Sequence, residues 1–467
     1  MSTWQEFYKD IKDPLWPDCA EEEDFHKLPE AIQEEIKTVF QYQINSFKKT
    51  SGIPNKVFPI KTKTACTLKW NWSTIYLTTD YTASCHRTNH HKFDDNFDFH
   101  NTPEKIDDRR RMLDGQWPKK GCDYCKVIEQ AGGQSDRITN LDYPGIYAPV
   151  ELDTDVNAVV VTPRILEVYF DNTCNLKCLY CGSHFSSLWA AEDNQFGAYN
   201  KQNFIKSSNL EINKQKMFEW LKNNRQHLTH FNVLGGEPLY QPELDQVLDL
   251  FANYPAPNLK LQMFSNLNCK KHRLETVIQK ARDLIDKNCI REFEVTASLD
   301  CWGVQQEYVR FPLNLSIWKE NFELLLKHEW INLIISSTIT PLTIKTLPTL
   351  LEHISQWSRV RKVYHYQNSV NGPDFLCIDI FGDIFKDDFD KALSLKPSAT
   401  AEDLASKLYL EGIAKQSASN PPNVDKIKEL FDFLNEMDRR RKTSWPTVFP
   451  WLVREFEKYD LRKVNTP

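Results

Sequence analysis

Apolar positions change their period along this chain, and the change divides it. Residues 29–49 place Ile32, Ile36, Phe40 and Ile44 at a spacing near four, as on one face of a helix. Residues 66–80 are β-branched and aromatic and predict a strand. A polar loop rich in His and Asp follows at 86–103, and residues 104–114 return to a helical pattern. Segment 115–137 predicts a turn, a C-x2-C knuckle and a helix, and residues 138–160 an irregular connector. The shift from polar to apolar near 160 separates an N-terminal unit, 1–155, from a second, 156–380.

From 164 the pattern alternates. Strands are predicted at 164–170, 230–238, 260–266, 292–300, 331–340 and 362–367. Helices are predicted between them at 213–225, 241–253, 273–286, 316–328 and 346–357. Strands alternating with helices are the pattern of βα units and a parallel sheet. Right-handed crossovers would curl that sheet. Residues 381–467 read as a charged, helical extension. Its stretch 423–442 carries an apolar stripe of Ile427, Leu430, Phe431 and Leu434, and the segment 447–460 is expected to pack back on the sheet. There is no internal repeat.

Composition narrows the class. Of 467 residues, 26% are charged and 41% apolar, as in an ordinary soluble globular protein, and the length suffices for two or three domains. No apolar run has membrane-spanning length, and the first residues lack a signal-peptide core, so a cytoplasmic location is expected. A net charge of −6 asks for no nucleic acid. Arg109–Arg111 and Arg439–Arg441 lie in helix-like stretches and read as solvated faces or carboxylate partners. Thirteen Trp fit a large core or a peptide-binding cleft.

Twelve cysteines in such a chain point to metal ligation rather than disulfides. Cys19, Cys269, Cys289, Cys301 and Cys377 are solitary and read as small buried residues. Cys174, Cys178 and Cys181 are spaced C-x3-C-x2-C. Three thiolates on one loop can hold three corners of a [4Fe–4S] cube and leave the fourth iron open to a small molecule. Zinc with a remote fourth ligand is the alternative. Cys66, Cys85, Cys122 and Cys125 form C-x18-C-x36-C-x2-C, which can close a zinc site or cap a second cube; spacing alone favours zinc slightly. His86, His90 and His91 beside Cys85 are read as loop residues rather than ligands. Gly235, Gly236, Glu237 and Pro238 spell GGEP at a strand end, where glycines let backbone approach a ligand closely.

The stretch YFDNTCNLKCLYCGSHFSSLW, with Tyr180 before the third cysteine and GGEP on the next strand, resembles the radical S-adenosylmethionine (radical SAM) enzymes. The resemblance implies a partial (βα)6 TIM-like barrel, open on one side. It implies S-adenosyl-L-methionine chelated to the open iron and cleaved to a 5′-deoxyadenosyl radical. Gly235, Gly236 and Glu237 would then meet the methionyl amino group. Polar groups at strand ends, Ser265, Asn266, Ser298 and Asp300, would meet its ribose and carboxylate, with Arg310 a bidentate candidate for the carboxylate. MLDGQWPKKGCDYCKVIEQAGGQSDR resembles the auxiliary-cluster segment of members with a twitch (SPASM-like) domain. That implies an auxiliary [4Fe–4S] cluster on Cys66, Cys85, Cys122 and Cys125, although the segment between Cys66 and Cys85 lacks the family's glycine. The expected substrate is a peptide or protein side chain, with residues 20–50 the one docking candidate, and the reducing partner a flavodoxin or ferredoxin. A small-molecule substrate such as a sugar or nucleotide is the alternative, and a zinc-binding scaffold is the reading from another class. Cys269, Cys301 and Cys377 are possible hydrogen donors.

Overall fold

The structure, a computed structural model, describes residues 64–85, 90–130, 158–199, 204–370 and 372–461, with Thr62, Thr88, Ser135 and Arg137. Cys19, the helix expected at 29–49, the docking candidate at 20–50, His86 and most of the connector 138–160 lie outside the described residues.

Among the described residues nine strands form a single sheet in the order β3-β2-β1-β4-β5-β6-β7-β8-β9. They are β1 Trp72–Tyr76, β2 Tyr81–Ala83, β3 His91–Lys92, β4 Ile165–Tyr169, β5 His230–Leu234, β6 Ala256–Ser265, β7 Ile290–Ser298, β8 Ile331–Ile339 and β9 Tyr364–Ser369. From β1 through β9 the pairing of β1, β4 and the later strands is parallel, while β2 and β3 return antiparallel at one edge. The helices are α1 Thr67–Asn71, α2 Pro103–Leu113, α3 Asp123–Gln130, α4 Ser187–Phe196, α5 Leu210–Asn224, α6 Pro242–Asn253, α7 Lys271–Asp286, α8 Val304–Val309, α9 Leu315–Leu326 and α10 Leu347–Ser358. The extension adds α11 Lys386–Leu395, α12 Ala401–Ser419, α13 Val424–Arg441, α14 Trp445–Val448 and α15 Pro450–Glu457.

The two faces of the sheet differ, and the sequence says why. Leu166, Val168, Phe231, Val233, Leu261, Met263, Phe293, Val295, Leu333 and Ile335 share one face and are buried with apolar helix residues in the main core. Their neighbours on the other face are polar and bond among themselves. Gln262 Nε2 donates to Glu294 Oε1 at 2.6 Å and Thr296 Oγ1 at 2.9 Å, and Lys260 Nζ lies 2.5 Å from Glu294. Parallel strands are usually apolar on both faces because helices cover both. Here one face remains polar, and the site sits at the carboxyl ends of its strands.

Some expectations are revised. The strand read at 66–80 is a short helix, α1, followed by β1 and a turn at Leu77–Asp80. Every residue of α1 is buried, and Lys69 on it bonds Asp108 of α2 at 2.5 Å, so packing against α2 overrides β propensity. The expected division near 156 does not interrupt the sheet: β1 pairs with β4, and Ile75, Leu77, Phe93, Phe97 and Phe99 belong to the main core. Arg109 is not on a solvated face. It is fully buried and donates to the carbonyls of Lys69, His100 and Val159 at 2.8, 2.7 and 2.6 Å. Trp70, Trp318 and Trp445 are fully buried, so much of the Trp content is core. Trp445, Phe449, Leu452 and Phe456 are buried in that core too, which places the last segment back on the sheet. Among the described residues no helix is long and apolar enough to cross a membrane.

Candidate functional site

The loop after β4 carries Cys174, Cys178 and Cys181, and its backbone is bracketed from several sides. Lys177 N–H donates to Phe311 O at 2.7 Å and Leu179 N–H to Val309 O at 2.8 Å. Trp189 Nε1 donates to Cys178 O at 2.7 Å and Ser186 Oγ to Leu176 O at 2.6 Å, both from the start of α4. Cys174 N–H donates to Ser187 Oγ at 3.1 Å. Such a loop can present three thiols with little further ordering.

The thiols lie within one another's field. Burial pushes Cys181 up to about 12, and a charge on Cys178 pushes the same way. Burial, then Cys178, raises Cys174 further still. Burial raises Cys178 as well, while the charges of Arg310 and Arg441 pull it down. Metal-free, these are thiols at neutral pH; a cationic metal centre is what would reward their deprotonation. Leu176 N–H stands 3.4 Å from Cys174 Sγ and Asn266 Nδ2 4.0 Å from it, donors of the kind that accompany cluster sulfurs. Three thiols on one bracketed loop, with N–H donors beside Cys174 Sγ, fit a three-thiolate [4Fe–4S] centre, whose ligands each take a different iron.

GGEP seats this loop. A Cβ on Gly235, at φ 92°, would stand 2.8 Å from Asp171 O, and one on Gly236, at φ 47°, 2.0 Å from Thr173 O. The close approach that the glycines permit is made by the chain's own backbone, where a ligand was expected. Glu237 N–H donates to Thr173 O at 2.8 Å. Gln241 Nε2, just beyond the motif, reaches the carbonyls of Asp171, Thr173 and Gly235 at 3.1, 3.1 and 2.7 Å. The Glu237 carboxylate is buried and turned toward β6. It accepts from Ser265 Oγ at 2.8 Å, Asn266 N at 2.6 Å and Leu239 N at 3.1 Å. Burial pushes it up to about 7, against the pull of those bonds. Its negative charge thus has partners inside the protein, apart from any ligand.

Tyr180, Asp300 and Arg310 form a second knot beside the thiols. Asp300, fully buried, accepts from Tyr180 Oη at 2.7 Å, from Arg310 Nε and Nη2 at 2.8 Å each, and from Thr338 N at 2.8 Å. The guanidinium of Arg310 therefore forks onto Asp300, where the sequence had offered it to a methionyl carboxylate. Asn266 turns to the loop and donates to Asn175 Oδ1 at 2.9 Å. Ser298 ends β7 half-buried, paired with Ser336 of β8. All of these residues gather at the carboxyl ends of parallel strands, the usual ligand position in α/β sheets. Sequence reasoning missed Gln241, Ser186, Ser187 and Trp189. Each binds a backbone carbonyl or amide of the cysteine loop or its entry, which leaves no periodic signal.

Cys66, Cys85, Cys122 and Cys125 line one cavity of about 470 Å³ of atom-free space, mouth included, with Lys69 and Arg137 on its wall. Burial raises Cys66, with Cys85 and Cys122 adding to it. Burial brings Cys122 up to about 12, against the pull of Lys69. The missing glycine is met by a turn in which Asp80 takes φ 60° between β1 and β2. His91 lies in β3 and His90 stacks on Tyr76 with ring centroids 4.5 Å apart; neither lines the cavity. Among the described residues no two cysteines are joined in a disulfide. Cys269 and Cys301 are buried and Cys377 half-buried.

No protein-family model matches the chain, and no curated protein does. Among solved structures, the chain is similar to native anSMEcpe with bound AdoMet, at 18% identity and a TM-score of 0.29, over 48% of this chain and 56% of that one. It is also similar to native anSMEcpe with bound AdoMet and Cp18Cys peptide, at 18% identity and a TM-score of 0.30, over 52% and 59% of the two chains. The form with bound AdoMet and Kp18Cys peptide gives 17% identity and a TM-score of 0.30, over 52% and 60%. The chain thus matches less than two thirds of the length of each.

Proposed function

We propose that this chain is a radical SAM enzyme. Cys174, Cys178 and Cys181 would hold a [4Fe–4S] cluster whose fourth iron takes S-adenosylmethionine. The observation that carries the reading is the three-thiol bracket, with three ligands rather than four, seated on GGEP and flanked by the Tyr180–Asp300–Arg310 knot. Bound there, a reduced cluster would supply the electron that cleaves the sulfonium and yields a 5′-deoxyadenosyl radical.

The chain's own residues orient and shield. Gln241 and the two glycines fix the height of the loop against β5. Asp300 holds Tyr180 and Arg310 in place, so that one cation stands beside Cys178. The four N-terminal cysteines would hold an auxiliary [4Fe–4S] cluster, in a twitch-like unit fused to the barrel sheet through β1. Their number leaves no iron open, which favours an electron-carrying role. The polar face of the sheet suits a polar substrate, and we assign a peptide or protein side chain. A ferredoxin or flavodoxin would deliver the electrons in the cytoplasm, where free thiols persist.

Anaerobic reconstitution tests this. The expected product is a brown protein with roughly eight irons per chain, four for each cube. Replacing Cys174, Cys178 and Cys181 together by Ala should leave about four irons and abolish formation of 5′-deoxyadenosine. Zinc in both sites, with no iron uptake, would instead make the chain a zinc-binding scaffold.

A further inference from the structure

The C-terminal extension ends α13 with Arg439, Arg440 and Arg441, and the three have different fates. Arg439 is exposed and pairs with Glu436 at 2.7 Å on its own helix. Arg440 and Arg441 are buried and reach across to α4. Arg440 Nη1 stands 3.4 Å from Asp193 Oδ1, and Asp193 in turn accepts from Ser183 Oγ of the cysteine loop. Arg441 Nη2 and Nε lie 3.1 and 3.3 Å from Glu192 Oε1, and Glu192 in turn pairs with Lys177 of the same loop. Each arginine therefore holds a loop residue beside the cysteines through one carboxylate of α4.

Arg441 does more than hold. Its side chain and that of Glu192 are each 1% exposed, yet Glu192 answers two cations, Arg441 and Lys177. Glu192 is thus shared between two cations and offsets the charge of Arg441 only in part. The guanidinium lies 4.6 Å from the ring of Trp189, whose Nε1 binds Cys178 O, and 5.8 Å from the ring of Phe311, whose carbonyl binds Lys177 N–H. Arg441 Nη1 is buried and has no hydrogen-bond partner among the described residues. A buried N–H is seldom left unmet, and an anionic centre held by three thiolates is an acceptor of the matching charge.

We propose that Arg441 is a positioning residue for the Cys174–Cys178–Cys181 centre: it clamps α4 onto the loop and sets positive charge beside Cys178, which raises the reduction potential of the cluster. The inference rests on the cluster assigned above. Net charge and hydrogen bonds to sulfur are the levers a protein has on a cluster's potential. No proton and no bond moves in this role; it changes how readily one electron from an external low-potential donor is accepted.

EPR-monitored redox titration of the reconstituted full chain tests it. Arg441→Gln should move the midpoint of the three-cysteine cluster to more negative potential, and Arg441→Lys should fall between that variant and the wild type. Glu192→Gln removes the opposing charge and should move the midpoint the other way. A role in folding alone would change iron content or melting temperature without opposite shifts of potential. If Arg441→Gln does not fold, Glu192→Gln decides, because its positive shift is required independently. Unmoved midpoints, or shifts of one sign in both variants, overturn the inference while leaving the cluster in place. A wild-type chain that takes up no cluster at these cysteines overturns the proposed function, and this inference with it.

Discussion

Gly236 has the least room of the described glycines. Its added Cβ would fall 2.0 Å from a backbone oxygen, at a φ of 47°. Neither backbone can yield without unseating the cysteine loop. Gly236→Ala should therefore cost more than about 2 kcal/mol, from strained backbone and clash together. Gly182→Ala, with nothing within 4 Å of its Cβ, should stay within about 0.5 kcal/mol of wild type. Urea denaturation of the two variants checks this, and equal midpoints would remove the seating role assigned to GGEP. The motif itself is legible in the sequence. Its occupant is not, because Thr173 and Gly236 meet only through the pairing of β4 with β5. The same holds for Arg310. Its type and place can be read, but that Asp300 takes up its fork follows from the turn through α8, which no spacing rule gives.

Elements were legible where period and packing agree. The six strands from β4 to β9 and the helices α5, α6, α7, α9 and α10 fall close to their expected ranges, while α4 and α8 were not foreseen. Legibility failed where distant partners decide. Residues 67–71 are β-like in composition and helical in fact, since α2 satisfies them. The arginine runs looked alike in sequence, yet Arg110 is exposed and Arg109 is core. The joint between β9 and α12 hides another such group. Lys396 Nζ is buried, 2.8 Å from His365 Nδ1 and 2.6 Å from Ser406 Oγ, and burial pushes it down to about 7 from an ordinary 10.5. The folded chain thus prefers the neutral amine. Between those two values the unfolded chain holds the extra proton, so this group makes stability rise with pH across about 7 to 10.5 and level off above. Relative to Lys396→Met, the wild type should gain a few kcal/mol over that window. Parallel stability–pH curves for the two would contradict this placement of the amine.

At the scale of the whole molecule, one sheet links both thiol sets. The cysteine-rich N-terminal unit and the βα units looked separable in composition at the shift near 160. What composition does not register is strand pairing across it, where Tyr76 of β1 stands opposite Tyr169 of β4. The two cysteine sets are thus mounted on one continuous frame, and the C-terminal extension closes over the loop of one of them through α4. In the function proposed above, the centre at Cys174, Cys178 and Cys181 keeps an iron for S-adenosylmethionine. Electron–nuclear double resonance on the reduced, reconstituted chain with S-adenosylmethionine labelled at its amino nitrogen and carboxylate oxygens tests it most directly. The account predicts hyperfine coupling from both labels that vanishes when the three cysteines are replaced. A cluster signal with no coupling to either label would contradict it.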